Sequence, residues 1–287
     1  MPLIETFGGD SVRGYGEFNA PGFSYSLGNN SASTLSQSNG YNTLTFGYNG
    51  GTTANFIINS GKRYFDILVV GGGGGGGAGR YWSGSNPTGL GWGVYAGAGG
   101  GAGGVYAASN VLLGPGTYPL IVGFGGSGGV WYYGGQTPSG NGQSSSFNGI
   151  TVTGGNGGAA FSFSNTGGSS GINYPQGSSP YAGGSSTYSG GGGGSQGAGT
   201  AASSGGQYVG YSGGAGTYWS VNGLVYARGG GSPNASYSYN SGQPVPTETN
   251  SYPNGGNGGG GAWAMASDGF SQGGYGALGT VILRWKQ

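Results

Sequence analysis

Neither cysteine nor histidine occurs among the 287 residues, and charged side chains are scarce, with seven basic and six acidic groups in all. The absence of cysteine excludes disulfide staples and thiol chemistry, and with histidine missing too the commonest soft metal sites go as well. Acid–base and nucleophilic catalysis are left with little material. Beyond Arg80 the only carboxylates are Glu248 and Asp268, so a glycosidase-type pair has almost nothing to draw on. The expectation is a chain that is not an enzyme and carries no cofactor. A formal net charge of +1 makes neither nucleic acid nor an anionic membrane a natural partner. From Tyr81 to Ala227 there is no charged residue at all, so that stretch must interact without ion pairs. No run of 18 apolar residues exists, and membrane insertion is not expected. The opening Met1-Pro-Leu-Ile-Glu5 has neither a basic n-region nor an apolar h-segment, which predicts synthesis in a cytoplasm rather than export by a signal.

What the chain does have is glycine, 80 residues, or about 28 % against roughly 7 % in an average protein. Each glycine costs roughly 0.5–1 kcal/mol relative to alanine in a regular element, so something specific must offset the total. Disorder is the default for such a composition, but aromatic residues make up 14 % of the chain, and disordered sequences avoid them. A glycine run cannot hold an α-helix, and as a strand it has no side chains to pack. The extended three-fold polyglycine II (PPII-like) helix remains, and having no internal hydrogen bonds it must bond to neighbouring passes. Collagen is excluded because no sustained Gly-X-Y triplet occurs and prolines number 12. The predicted fold is therefore irregular all-β: a bundle or sandwich of glycine-rich helices with short flanking β-strands and essentially no α-helix.

Along the chain, residues 1–60 read as an N-terminal β module with short alternating runs such as Phe23–Leu27 and Thr43–Phe46, and residues 61–287 as the glycine-rich domain. Ala54–Ile58 and Tyr64–Val70 read as strands joined by a turn at Ser60-Gly61, the second running straight into Gly71–Gly77. Further glycine-rich passes are expected near 97–104, 123–129, 154–158, 190–199, 229–231 and 255–261, with a closing strand at Gly279–Trp285. If Asn148-Gly149 and Gly114-Pro115-Gly116 are tight turns, loops 80–96, 130–139 and 161–188 fall together at one end.

Four segments, Phe65–Gly77, Gly99–Val105, Leu113–Tyr118 and Gly142–Phe147, together with the ending Gly279–Arg284, resemble the glycine-rich domain of phage tail-fibre proteins. The resemblance covers residues 54 to 287. The chain is also similar to the tip adhesins of T-even-type phages, whose polyglycine helices pack as a sandwich and present variable loops to the host. Phe7–Gly16 resembles N-terminal stretches of virion proteins from marine phages. The resemblance implies a protein of the virion surface or tail fibre, made in the host cytoplasm, that recognises a host surface receptor, either a saccharide or an outer-membrane protein. It further implies that residues 1–60 attach to other tail-fibre or virion subunits.

The loops between passes carry the candidate binding residues: Tyr81, Trp82, Trp92, Tyr95, Trp131, Tyr132, Tyr133, Phe161, Phe163, Tyr174, Tyr181, Tyr237 and Tyr239. Tyr and Trp among Ser, Asn and Gly form a paratope-like alphabet, giving large contact area at small entropic cost. The plainer reading is that these aromatics cap a bundle whose interior has no apolar side chains of its own. Binding is favoured for the clusters as a set, because contiguous exposed aromatic surface is otherwise an aggregation liability. Gly71–Gly77 contains the spacing of a nucleotide-binding glycine loop trivially, but no helix follows it and no Lys-Ser/Thr accompanies it. Two other functions compete with host recognition: a structural fibre or decoration component whose loops contact other subunits, and, more remotely, an ice-binding protein. The scattered threonines and bulky interruptions argue against the latter.

Overall fold

The computed structural model describes residues 22–28, 33–47, 53–82, 93–95, 97–132, 135–160, 165–173, 185–186, 190–200, 212–232, 255–259, 261 and 270–287. Among them there is no helix, and the fold is an irregular all-β one. Two five-stranded antiparallel sheets form one end. The first runs β1 (Ser24–Gly28), β4 (Ala54–Ser60), β9 (Gly116–Ile121), β12 (Ser145–Phe147) and β13 (Ile150–Val152). The second runs β2 (Ser33–Ser38), β3 (Tyr41–Phe46), β19 (Thr280–Lys286), β5 (Arg63–Val70) and β8 (Val105–Leu113).

Alternation decides what each strand buries. Phe56, Ile58, Leu120 and Phe147 of the first sheet meet Phe65, Ile67, Val69, Leu283 and Trp285 of the second in one core. β5 and β19 are covered on both faces, which accounts for the unbroken apolar run Ile67–Val70. Their other side chains, Leu68, Val70 and Ile282, pack with Trp219, Tyr226 and Ala227. Trp219 and Tyr226 belong to a hairpin of β16 (Thr217–Trp219) and β17 (Leu224–Tyr226) lying on that outer face. Arg284 holds it there, donating to the Val221 carbonyl at 2.9 Å, stacking over the Tyr41 ring and approaching Asp66 at 3.9 Å.

Asn148-Gly149 is the expected two-residue turn, with positive φ at both positions between β12 and β13. Two expected turns prove to be crossings between sheets. Ser60-Gly61 does not close a hairpin, since β4 ends at Ser60 in the first sheet and β5 begins at Arg63 in the second. Gly114-Pro115 likewise carries β8 over to β9. Strands from residues 24–60 and strands from residues 63–286 share both sheets.

β5, β9 and β13 run out of the sandwich into glycine passes, and passes run back into β8, β12 and β19. The central pass shows the three-fold period directly. Gly71, Gly74 and Gly77 donate to the carbonyls of Gly104, Gly101 and Ala98, Gly72 and Gly75 to those of Gln143 and Gly140, and Gly73 and Gly76 to those of Ala277 and Gly274, all at 2.8–2.9 Å. Its own carbonyls accept from Gly126 and Gly129, from Gly155 and Gly158, and from Gly259. With three neighbours receiving and three donating, the pass is surrounded, as polyglycine II packing requires. A methyl group added to Gly72, Gly73, Gly74 or Gly75 would strike the carbonyl of Phe124, Asn257, Asn156 or Ser127, respectively. Only glycine fits a backbone approached from all these directions.

The remaining bonds arrange the passes in three layers. A middle layer holds 123–129, 71–79, 97–104, 190–194 and 197–200, one outer layer holds 273–279, 255–259 with 261, 227–231 and 212–216, and the other holds 139–143, 153–159 and 167–171. The passes at 139–143, 167–171, 212–216 and 273–279 add to the expected set, and the pass expected at 190–199 doubles back through Gly194 and Gly197.

Candidate binding surface

The far end of the bundle is built where passes stop. Gly77 and Gly79 lead into β6 (Arg80–Trp82), which pairs with β7 (Gly93–Tyr95) just before the pass beginning at Gly97. The pass 123–129 leads into β10 (Val130–Tyr132), the centre of a three-stranded sheet between β11 (Gly135–Thr137) and β18 (Phe270–Gln272). β14 (Asn165–Thr166) pairs with β15 (Ser185–Ser186). All three groups lie at the end opposite the sandwich, because Gly77 bonds Ala98, Gly129 bonds Gly76, and Ala159 bonds Thr166 across that end. The described backbone of 80–96, 130–139 and of 165–166 with 185–186 thus converges at one end as expected, although at Gly114-Pro115 the chain reverses by crossing between sheets and not by closing a hairpin. The stretch 161–188 is not a single loop, however. The pass 167–171 interrupts it and carries the chain back to the sandwich, where the Asn173 side chain accepts from Val105 N at 2.7 Å.

Of the predicted residues, Tyr81 and Trp82 sit on β6, Tyr95 on β7, and Trp131 and Tyr132 on β10. Trp92, Tyr133, Phe161, Phe163, Tyr174, Tyr181, Tyr237 and Tyr239 lie outside the described residues. Trp131 pairs with Gln136 on one side and Ser271 on the other, and it is partly buried. Tyr132, its side chain on the opposite face, is 50 % exposed, and its ring lies over Gly135, whose missing Cβ leaves the space. Ser271 ties the end to the bundle, its hydroxyl accepting from Gly79 N at 3.0 Å. Arg80 is the one charged residue on the strands of this end. Aromatic faces, amides and hydroxyls in such a setting suit ligands held by stacking and neutral hydrogen bonds. Among the described residues no group of His, Cys, Asp or Glu could hold a metal ion.

Sequence reasoning missed a second set of exposed aromatic and apolar side chains. Phe124, Tyr275 and Leu278 project from the glycine passes themselves, not from the loops. Their signal was present as a period of three: Phe124, Ser127 and Val130 in one run, Gln272, Tyr275 and Leu278 in the other.

The profile of a family described as a glycine-rich domain matches residues 48–286. No curated protein matches the chain.

Proposed function

This chain belongs to the glycine-rich domain family, and within it we propose a tail-fibre adhesin, a virion surface protein that recognises a host receptor through the aromatic end of its glycine bundle. The observation carrying this reading is the convergence of β6–β7, β11–β10–β18 and β14–β15 at the end remote from the sandwich, with Trp131 and Tyr132 on the central strand of the three-stranded sheet. A backbone lattice holds the passes, so the segments joining them are free to vary in length and composition without loss of the scaffold. Tyr and Trp on short strands give rigid contact area, the economy a recognition surface needs. Residues 1–60 would seat the protein on other fibre or virion subunits, after synthesis in the host cytoplasm.

Virion adsorption tests this reading. Particles carrying Trp131→Ala with Tyr132→Ala, or with segment 80–96 exchanged for that of a related chain, should assemble normally and adsorb to the host at least about tenfold less well, the loss of roughly 1.4 kcal/mol or more of contact. Unchanged adsorption would assign the protein to a structural fibre or decoration role instead.

A further inference from the structure

We propose that the flank formed by passes 123–129 and 273–279 is a second binding strip that takes a linear, uncharged glycan. The proposal rests on the adhesin reading and extends it from the tip to the side of the bundle. The two passes are antiparallel neighbours: Gly279 N donates to Gly123 O, Gly276 N to Gly126 O and Gly273 N to Gly129 O, at 2.8–2.9 Å. β10 and β18 continue the same register, with Val130 opposite Gln272. That register sets Phe124 beside Leu278, Ser127 beside Tyr275 and Val130 beside Gln272.

The lattice leaves these positions as the outward ones. Side chains at Gly123 and Gly126 would strike the carbonyls of Gln143 and Gly140, those at Gly125 and Gly128 the carbonyls of Gly276 and Gly273, and those at Gly273 and Gly276 the carbonyls of Gly76 and Gly73. Every third residue is therefore free to carry a side chain, and a rise of about 3.1 Å per residue spaces the rungs about 9 Å apart along the bundle. Phe124 is 42 % exposed, Leu278 44 % and Tyr275 68 %.

Three properties select the occupant. Neither pass carries a charged residue, so a charged ligand would lose hydration without a partner while a neutral one would not. Two of the three rungs set an apolar or aromatic side chain beside a hydrogen-bonding one, Ser127 with Tyr275 and Val130 with Gln272: Ser127 is exposed, and Gln272 Nε2 donates to Tyr275 Oη at 3.1 Å, leaving the phenol proton to donate outward. Sugar rings offer the matching surface, C–H groups on one side and hydroxyls at the edge. Finally, the strip is two passes wide and runs along the bundle axis, a shape that follows a linear polymer chain.

Isothermal titration of the full chain with dextran, laminarin and galactomannan, and with alginate as the charged counterpart, tests the proposal. At least one neutral polymer should bind, and Tyr275→Ala or Phe124→Ser should weaken it at least about tenfold with an unchanged melting temperature. Tyr64→Ala, at an exposed aromatic on the sandwich, should leave the affinity as it was. Binding of none of the neutral polymers, a preference for alginate, or full affinity in Tyr275→Ala would overturn the proposal. So would a wild-type dimer that Tyr275→Ala converts to monomer, which would make the strip a self-interface. Virions that lose adsorption on Trp131→Ala with Tyr132→Ala, yet keep it with Tyr275→Ala, would leave the tip reading standing and remove the flank.

Discussion

Replacing Gly74 by alanine should unfold or severely destabilise the protein, although alanine is the better residue by every local measure. Where the backbone tolerates it, Gly→Ala removes freedom from the unfolded chain and stabilises by about 0.4–1 kcal/mol. At Gly74 the added methyl would lie well within 3.0 Å of the Asn156 carbonyl and against Gly157 N, closer than real Cβ atoms are found. The pass 154–158 must then move away from the central pass. That motion strains Gly101 N to Asn156 O at 2.8 Å, and the bonds from Gly155 to Gly72 at 2.9 Å and from Gly158 to Gly75 at 2.8 Å. Overpacking costs about 1–3 kcal/mol, and each buried amide left without a partner about 1–3 kcal/mol more. With two bonds lost the sum is roughly 3–9 kcal/mol, against a total stability of about 5–15 kcal/mol for a folded domain.

Two further glycines act as references. Gly149→Ala has open space but a φ of +79°, so it should cost about 1–2 kcal/mol through backbone strain alone. Gly22→Ala meets nothing within 4 Å and should be neutral or slightly stabilising. Thermal and urea denaturation followed by circular dichroism should rank the three with Gly74→Ala far below the others. If Gly74→Ala melted with Gly22→Ala, the close packing of the passes would be wrong.

Two other perturbations separate effects within the sandwich. Arg284→Ala removes the bond to the Val221 carbonyl and the stacking on Tyr41, and should cost about 1–3 kcal/mol in a urea titration. Asp66→Asn should cost under about 1 kcal/mol, because its 3.9 Å approach to Arg284 is partly exposed; equal losses would show that the ion pair dominates. Burial raises the pKa of Tyr25, and it raises that of Tyr226 against the opposing hydrogen bond from Asn222. The unfolded chain therefore ionises first, near pH 10, and the stability these tyrosines contribute, complete below that value, is lost as pH rises through their raised folded values. Urea midpoints should fall above about pH 10, and the fall should be shallower in Tyr226→Phe; a slope unchanged by that substitution would assign the loss to other groups.

The scaffold was largely legible in the sequence because glycine leaves so few options. Once helix, strand and collagen are excluded, Gly71–Gly77 can only be a three-fold helix bonded to neighbours, and the structure has it so. Asn148-Gly149 was readable from two residues that accept positive φ. Pairing was not readable. Nothing local in Ser60-Gly61-Lys62 says that β4 and β5 enter different sheets; the two-sided burial of Ile67–Val70, which needs β5 at the interior of its sheet, settles it. Passes as short as 139–143 and 167–171 escaped notice because Ser, Asn and Gln interrupt their glycines. Asn141, Asn156 and Ser169 nevertheless sit in the lattice, Asn141 accepting from Gly157 N and Asn156 donating to Ser169. Outward-facing Phe124 and Tyr275 were missed for a related reason, since aromatic residues were sought in loops while the three-fold period also leaves a side-chain position on each outer pass.

The two halves of the fold supply what the other lacks. The glycine passes bury almost no side chains, so their many hydrogen bonds, each worth about 0.5–1.5 kcal/mol net, must work against the large backbone entropy of glycine. The sandwich contributes the hydrophobic term through Phe56, Phe65, Leu120, Phe147 and Trp285. Because β5, β8, β9, β12, β13 and β19 are each continuous with a pass, folding of that core also sets the register in which the passes meet. Register set at one end is carried along the passes to the other, where β6, β7 and β10 hold Tyr81, Trp82, Tyr95, Trp131 and Tyr132. Destabilising the sandwich should therefore dissolve the lattice, whereas substitutions on β6, β7 or β10 should leave both intact.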